Sequence, residues 1–294
     1  MSGETHPPGP RSDLAEEGSS LAALVRRHDR DRYQTALFAP GGRREALLAL
    51  YAFNYEIARV RETVTQPMLG QIRLQWWREV IAAAFAGAPA RQHPVAVPLS
   101  AAIREFGLSR EPFDRLVDTR ERDLGDEAPA SLAALEDYAA GTSAPLVHLA
   151  LQILGVQGLA VEETARQAGI GYALAGLLRA IPFHARASRS YIPADIAQRA
   201  GLGPGDYATG RATPALRAAV REIADAATWH LRAAREGRAA IPRSAIAALL
   251  PALVASRFLT RLQRAEYDPF AAALAMPDPL QIWRLAAAAL LNRF

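Results

Sequence analysis

The side chains in this sequence best suited to holding a ligand are cationic. Arg59, Arg179, Arg186 and Arg189 would form, with His184, a patch for an anionic head group, because a guanidinium offers phosphate a planar, two-pronged donor. The other reading of Arg59 is that it faces solvent or pairs with Glu56 or Glu62. His184 has no second His, Asp or Glu near it at ligand spacing, which favours a hydrogen-bonded core or surface role over a metal site. Asp118, Glu121, Asp123, Asp126 and Glu127 form an acidic run in which Asp118 and Glu121 share one helix face. Arg120 and Arg122 are interleaved with them, so a solvated, salt-bridged helix end is expected there.

Other chemistries lack their residues. The stretch GLGPGD (201–206) follows no strand and has no lysine, so it is not a phosphate loop, and there is no GxSxG elbow or HExxH pair. There is no cysteine, which excludes disulfides, thiolate catalysis, Cys-ligated zinc and iron–sulfur clusters. No cofactor and no metal ligand are expected. All 34 basic residues are arginine, and a net charge of +4 over 294 residues, without a dense basic run interleaved with aromatics, argues against nucleic acid.

Helices must position these groups. Apolar residues make up 50% of the chain and recur at helical period, while strand alternation is nearly absent. Helices are expected near 43–63, 67–87, 95–106, 111–124, 131–154, 161–186, 212–236, 244–265 and 278–292, separated by Pro/Gly signals such as FAPGG (38–42) and LGDEAPAS (124–131). EALLALYAFNYEIA (45–58) and IGYALAGLLRAIPF (170–183) are apolar on most faces and belong at the centre of a bundle. The expected organisation is a disordered tail over 1–25 and one all-α domain over 26–294.

No apolar run reaches the length of a membrane span, and the first residues lack the apolar stretch of a secretory signal. A cytoplasmic protein is expected, with peripheral contact on the cytoplasmic face of the inner membrane. Its contact element would be 279–294, where Trp283, Leu285, Leu290 and Phe294 offer an apolar face edged by Arg284 and Arg293; the other reading is a helix docked on the bundle.

RYQTALFAP (32–40), RLQWWREVI (73–81), VDTRERDL (117–124), LEDYAAGTSAPLVHLALQILG (135–155) and GYALAGLLRAIPFHARASRSYIPADI (171–196) together resemble the squalene/phytoene synthase family, in consistent order from about 31 to 270. The resemblance implies a prenyl-transferase (isoprenoid synthase) helical bundle around a central apolar cavity, lined here by Tyr51, Phe53, Tyr138 and Tyr172. In the active enzymes two facing helices carry carboxylates that hold magnesium against prenyl diphosphates. Laid on this chain, the first motif falls at Ala58, Arg59 and Glu62, and the second at Gly176, Arg179, Ala180 and His184. One carboxylate remains, and Pro182 enters the second motif.

FNYEIARVRETV (53–64) with LLRAIPFHARASRSYIPADI (177–196) resembles the non-enzymatic branch of that family, typified by mitochondrial NADH dehydrogenase (complex I) assembly factor 6. That resemblance implies a catalytically degenerate protein whose partners are complex I subunits or assembly intermediates. It would bind a lipid or isoprenoid ligand with Arg59, Arg179 and Arg189 at the head group. The alternative is an active prenyl transferase condensing prenyl diphosphates head to head with unusual ligands.

Overall fold

The structure, a computed structural model, describes residues 21–187 and 189–294, with backbone only at 204 and 208. Regular structure among these residues is helical throughout. Most of the expected tail, 1–20, lies outside the described residues. Residues 21–25 do not belong to a tail. They lie in helix α1, described over 21–28, and Leu21 and Val25, one turn apart, are both buried in the core. Each such burial is worth about 2 kcal/mol.

Short α2 (Arg30–Ala36) follows, capped by Asp29, whose carboxylate accepts from the Arg32 backbone N–H. Next come α3 (Gly41–Ala58), α4 (Pro67–Phe85), α5 (Ala96–Phe106) and α6 (Glu111–Arg120). The expected helix over 131–154 is two helices, α7 (Leu132–Thr142) and α8 (Ala144–Ile153). Pro145 has no N–H and would clash with the carbonyl one turn back, so it stands in the first turn of a new helix. The same physics divides 161–186 into α9 (Leu159–Arg179) and α10 (Ile181–Arg186), with Pro182 opening the second.

The chain continues through α11 (Ala194–Ala200), α12 (Pro204–Ala208), α13 (Pro214–Glu236), α14 (Leu250–Arg264), α15 (Ala272–Ala275) and α16 (Gln281–Leu290). Helix α9 is the axis of the C-terminal half, packed by α7, α8, α13 and α14, while α3 is enclosed by α2, α5, α6 and α8. Close packing on α9 depends on small residues. A Cβ at Gly169 would fall 2.5 Å from the Ala144 Cα, and one at Gly171 would fall 2.6 Å from the Leu231 Cγ. The expected apolar character of α3 and α9 is present: Leu47, Leu48, Leu50 and Phe53 on α3, and Ile170, Leu174 and Leu178 on α9, are buried.

Helix α16 divides the residues assigned to an outer apolar face. Leu285 and Phe294 are buried, whereas Trp283 is 71% and Leu290 76% exposed. The segment is therefore a docked helix that still presents two large apolar side chains to solvent. No helix among the described residues is long and apolar enough to cross a membrane.

Candidate functional site

The two motif segments end α3 and α9. Ala58 is the last residue of α3, and Arg59 ends the helix before a 3-10 turn, Val60–Thr63, that carries exposed Glu62. The Arg59 guanidinium donates to the Tyr55 hydroxyl (3.1 Å), lies 5.2 Å from the Tyr55 ring centre, and approaches Glu56 at 3.9 Å. Tyr55 in turn stacks on His28 of α1, ring centres 4.3 Å apart. Arg59 is thus held along its own helix.

On the other segment, Gly176 and Ala180 offer no side-chain donor, and a Cβ at Gly176 would meet nothing within 4 Å. His184 packs on the Tyr191 ring, centres 4.8 Å apart. Burial first, and then the nearby Arg189 cation, push its pKa down to about 4 against the opposing pull of Asp123. His184 is therefore neutral near pH 7 and adds no charge to the cationic patch in which the sequence placed it.

Arg189 donates to the backbone carbonyls of Asp123 (2.7 Å) and Gly125 (3.0 Å) and lies 5.1 Å from the Tyr191 ring centre. Arg179 points to α2, where it meets Asp31 at 2.6 Å. Arg59, Arg179 and Arg189 each have separate protein partners in place of a shared one.

The acidic run divides as well. Asp118 and Glu121 do share a face, and both accept from Arg78 (2.7 and 2.9 Å); Asp126 pairs with Arg61 at 2.8 Å. These are the exposed salt bridges the interleaved arginines suggested. Asp123 is the exception, because it is buried. Its Oδ1 accepts from the hydroxyls of Tyr138 (2.8 Å) and Tyr191 (2.9 Å), and its Oδ2 meets Arg120 at 3.1 Å. Burial raises the pKa of both tyrosines, so they stay protonated and donate. The exposed charge pattern around Asp123 hid it from the sequence reading.

Magnesium requires several oxygen ligands in octahedral array. Among the seven positions on which the two motifs fall, only Glu62 supplies a carboxylate, and it lies on an exposed turn. Among the described residues no three His, Asp or Glu side chains gather into a metal-binding group. The residues present do not fit the ion.

The bundle interior holds what sequence reasoning missed. Arg32 of α2 turns inward between α3 and α9, its side chain only 11% exposed, and pairs with Asp29 at 2.7 Å. Its guanidinium carbon lies 4.6 Å from the ring centre of Tyr172 and 5.8 Å from that of Tyr51. Burial alone would lower its pKa, but Asp29 and the two phenols outweigh that effect and hold Arg32 charged. The space left among Arg32, Tyr51, Tyr172, Leu146 and Pro251 is about 10 Å³. That admits about one water and no hydrocarbon chain.

The apolar interior expected at this point is therefore closed around a cation. Tyr51 and Tyr172 border the closure. Phe53 instead packs against Trp77 and Phe113 (5.2 and 5.7 Å), and Tyr138 belongs to the Asp123 network. A signal existed in the sequence: Arg32 stands one helical turn before the small residue Ala36, which is buried.

The sequence profile described as "Squalene/phytoene synthase" matches residues 25–286. The chain belongs to the squalene/phytoene synthase family. Among relatives, it is 31% identical over 268 residues to "NADH dehydrogenase (ubiquinone) complex I, assembly factor 6" of Homo sapiens, covering 89% of this chain and 80% of that one. It is 26% identical over 263 residues to the presqualene diphosphate synthase of Rhodopseudomonas palustris, covering 89% and 91%. The crystal structure of a dehydrosqualene synthase in complex with ligand superposes with a TM-score of 0.84 over 96% of this chain and 98% of that one, at 16% identity. The squalene/phytoene synthase fold is thus retained here with α3 and α9 in their central places, while their motif positions carry one carboxylate and their interior carries Arg32.

Proposed function

We propose that this protein is a catalytically degenerate member of the squalene/phytoene synthase family that serves the assembly of respiratory complex I. The non-catalytic half rests on one observation: the Arg32–Asp29 pair fills the bundle interior against Tyr51 and Tyr172, leaving about 10 Å³ beside it, too little for a hydrocarbon chain. The loss of motif carboxylates supports the same reading, since neutralising a departing diphosphate is worth several kcal/mol of catalysis. The assembly half is supported by the identity to the human assembly factor over 89% of the chain. Its partners are then complex I subunits or assembly intermediates, met at the cytoplasmic face of the inner membrane. A lipid or isoprenoid does not fit the space around Arg32, so any such ligand lies elsewhere on the molecule.

Deleting the gene in its native host tests the proposal. Membrane NADH:quinone oxidoreductase activity is expected to fall, with isoprenoid output unchanged. Intact complex I with missing isoprenoids would overturn it. The second reading, an active prenyl transferase, has the presqualene diphosphate synthase relative in its favour. Squalene or a presqualene product formed from farnesyl diphosphate by the purified protein with magnesium, and abolished by chelator, would establish that reading instead.

A further inference from the structure

Helices α13 and α14 run antiparallel and are joined near both ends by arginines of α13. Arg235 donates to the Ser256 hydroxyl of α14. Arg217, near the start of the same helix, donates to the carbonyls of Ala265 (3.3 Å) and Glu266 (2.9 Å), just past α14. Between these clamps lies a cavity of about 320 Å³, lined by both helices. That volume is within the range of small-molecule sites. The cavity shares no residue with the motif segments or with the interior closed by Arg32.

The cavity is polarised along its length. Arg232 and Arg235 line one end, Asp225 lines the other with Gln263 and Tyr267, and buried Leu231 and Leu259 stand between. Arg235 is half-buried, and its side-chain bonds go to the Phe294 oxygen (2.7 Å) and to Ser256, not to an Asp or Glu. Burial first, and then the nearby Arg232 cation, lower its pKa, as befits a guanidinium short of negative charge. Among the described residues Asp225 makes no ion pair. Arg221, one turn before it, lies instead over the Tyr267 ring at 4.8 Å. Glu266 and Tyr267 both have positive φ, 54° and 60°, which bulky side chains disfavour. Arg217 on the Glu266 carbonyl and Arg221 on the Tyr267 ring hold that turn, so the wall at the acidic end is fixed.

We propose that this cavity binds a small linear zwitterion of the ω-amino acid type, with its carboxylate on Arg232 and Arg235, its ammonium on Asp225 and its methylenes on Leu231 and Leu259. Arg232 and Asp225 stand two turns apart on one face of α13, about 10.5 Å along the axis. After a hydrogen bond of about 2.9 Å at each end, the two charges of the ligand must stand about 5 Å apart. Glycine, with both charges on one carbon, does not span that distance. A simple anion leaves Asp225 unpaired, and a simple amine leaves both guanidiniums unpaired. The site goes beyond the assembly reading and does not depend on it.

Calorimetric titration of the full chain with ε-aminocaproate near neutral pH tests this, with caproate, hexylamine and glycine as the anion-only, cation-only and short-zwitterion probes. The ε-aminocaproate is expected to bind at least about tenfold more tightly than any of the three, an energy of about 1.4 kcal/mol. Asp225→Asn is expected to lower its affinity about tenfold, to that of caproate, and to leave caproate itself unchanged. Arg232→Gln is expected to weaken both. Gln263→Glu, which adds a carboxylate at the ammonium end, is expected to strengthen ε-aminocaproate several-fold. All three side chains are exposed, so thermal melting is expected to stay unchanged. Equal binding of caproate, hexylamine or glycine, no binding of ε-aminocaproate at millimolar concentration, or indifference to the substitutions would overturn the proposal.

Discussion

The guanidinium of Arg32 lies over the Tyr172 ring at 4.6 Å, inside a bundle whose relatives include a presqualene diphosphate synthase. A cation in that position depends on Asp29, the one carboxylate bonded to it. Replacing Arg32 by methionine leaves the Asp29 charge largely buried and unpaired. Arg32→Met is expected to cost about 3 kcal/mol in urea unfolding, and Asp29→Asn with Arg32→Met is expected to recover most of it. Asparagine caps a helix as well as aspartate does, so the α2 cap survives the second change. A double variant as unstable as the single one would show that the pair is not the source of the cost.

On the proposed reading, carboxylates placed at the motif positions are not expected to bring a reaction while Arg32 fills the interior. Ala58→Asp, Gly176→Asp and Ala180→Asp together are expected to raise magnesium affinity at least about tenfold by calorimetry, since three added carboxylates supply oxygen ligands. No squalene or presqualene product is expected from farnesyl diphosphate. Turnover by this variant with Arg32 intact would show that the interior closure does not bar catalysis.

Asp123 is expected to be the most sensitive carboxylate of the acidic run. Asp123→Asn removes a buried charge from Arg120 and disturbs two tyrosine donors, at a cost of about 3 kcal/mol. Asp118→Asn, on an exposed bridge to Arg78, is expected to cost under about 1 kcal/mol. Equal effects in chemical denaturation would contradict the burial difference between them.

His184 gives a pH signature. Its folded pKa is depressed to about 4, below the ordinary 6.5, so the unfolded chain binds a proton first as pH falls. Its contribution to stability is full above pH 6.5 and is lost progressively between about 6.5 and 4. The stability difference between wild type and His184→Gln is expected to shift against wild type across that window, by at most about 3 kcal/mol. A difference independent of pH would mean that His184 is not depressed.

The helical class and the central place of α3 and α9 were legible, because they rest on apolar period. The breaks at Ser143 and Ala180 fall inside apolar runs in which periodicity continues, although Pro145 and Pro182 mark them locally. Burial of charge was the least legible feature. Arg32 and Asp123 each stand in a charge-dense stretch that reads as solvated, and only the tertiary fold turns one member of each stretch inward. The expected tail boundary at 25 cuts through α1, because the apolar run LAALV (21–25) is too short to carry helical period on its own.

Helix α2 has two engaged sides. Arg32 reaches into the bundle, while Asp31 accepts from Arg179 of α9 and from Gln281 of α16, and Gln34 accepts from Gln281 at 2.8 Å. A short helix near one end of the chain therefore latches together the interior, the central helix and the last helix. Lifting α2 to withdraw Arg32 from the interior would break both hydrogen bonds from Gln281 of α16. The amides of α2 and α16, some 250 residues apart in sequence, should accordingly exchange with deuterium as one cooperative unit, and the interior should become accessible only when that unit opens.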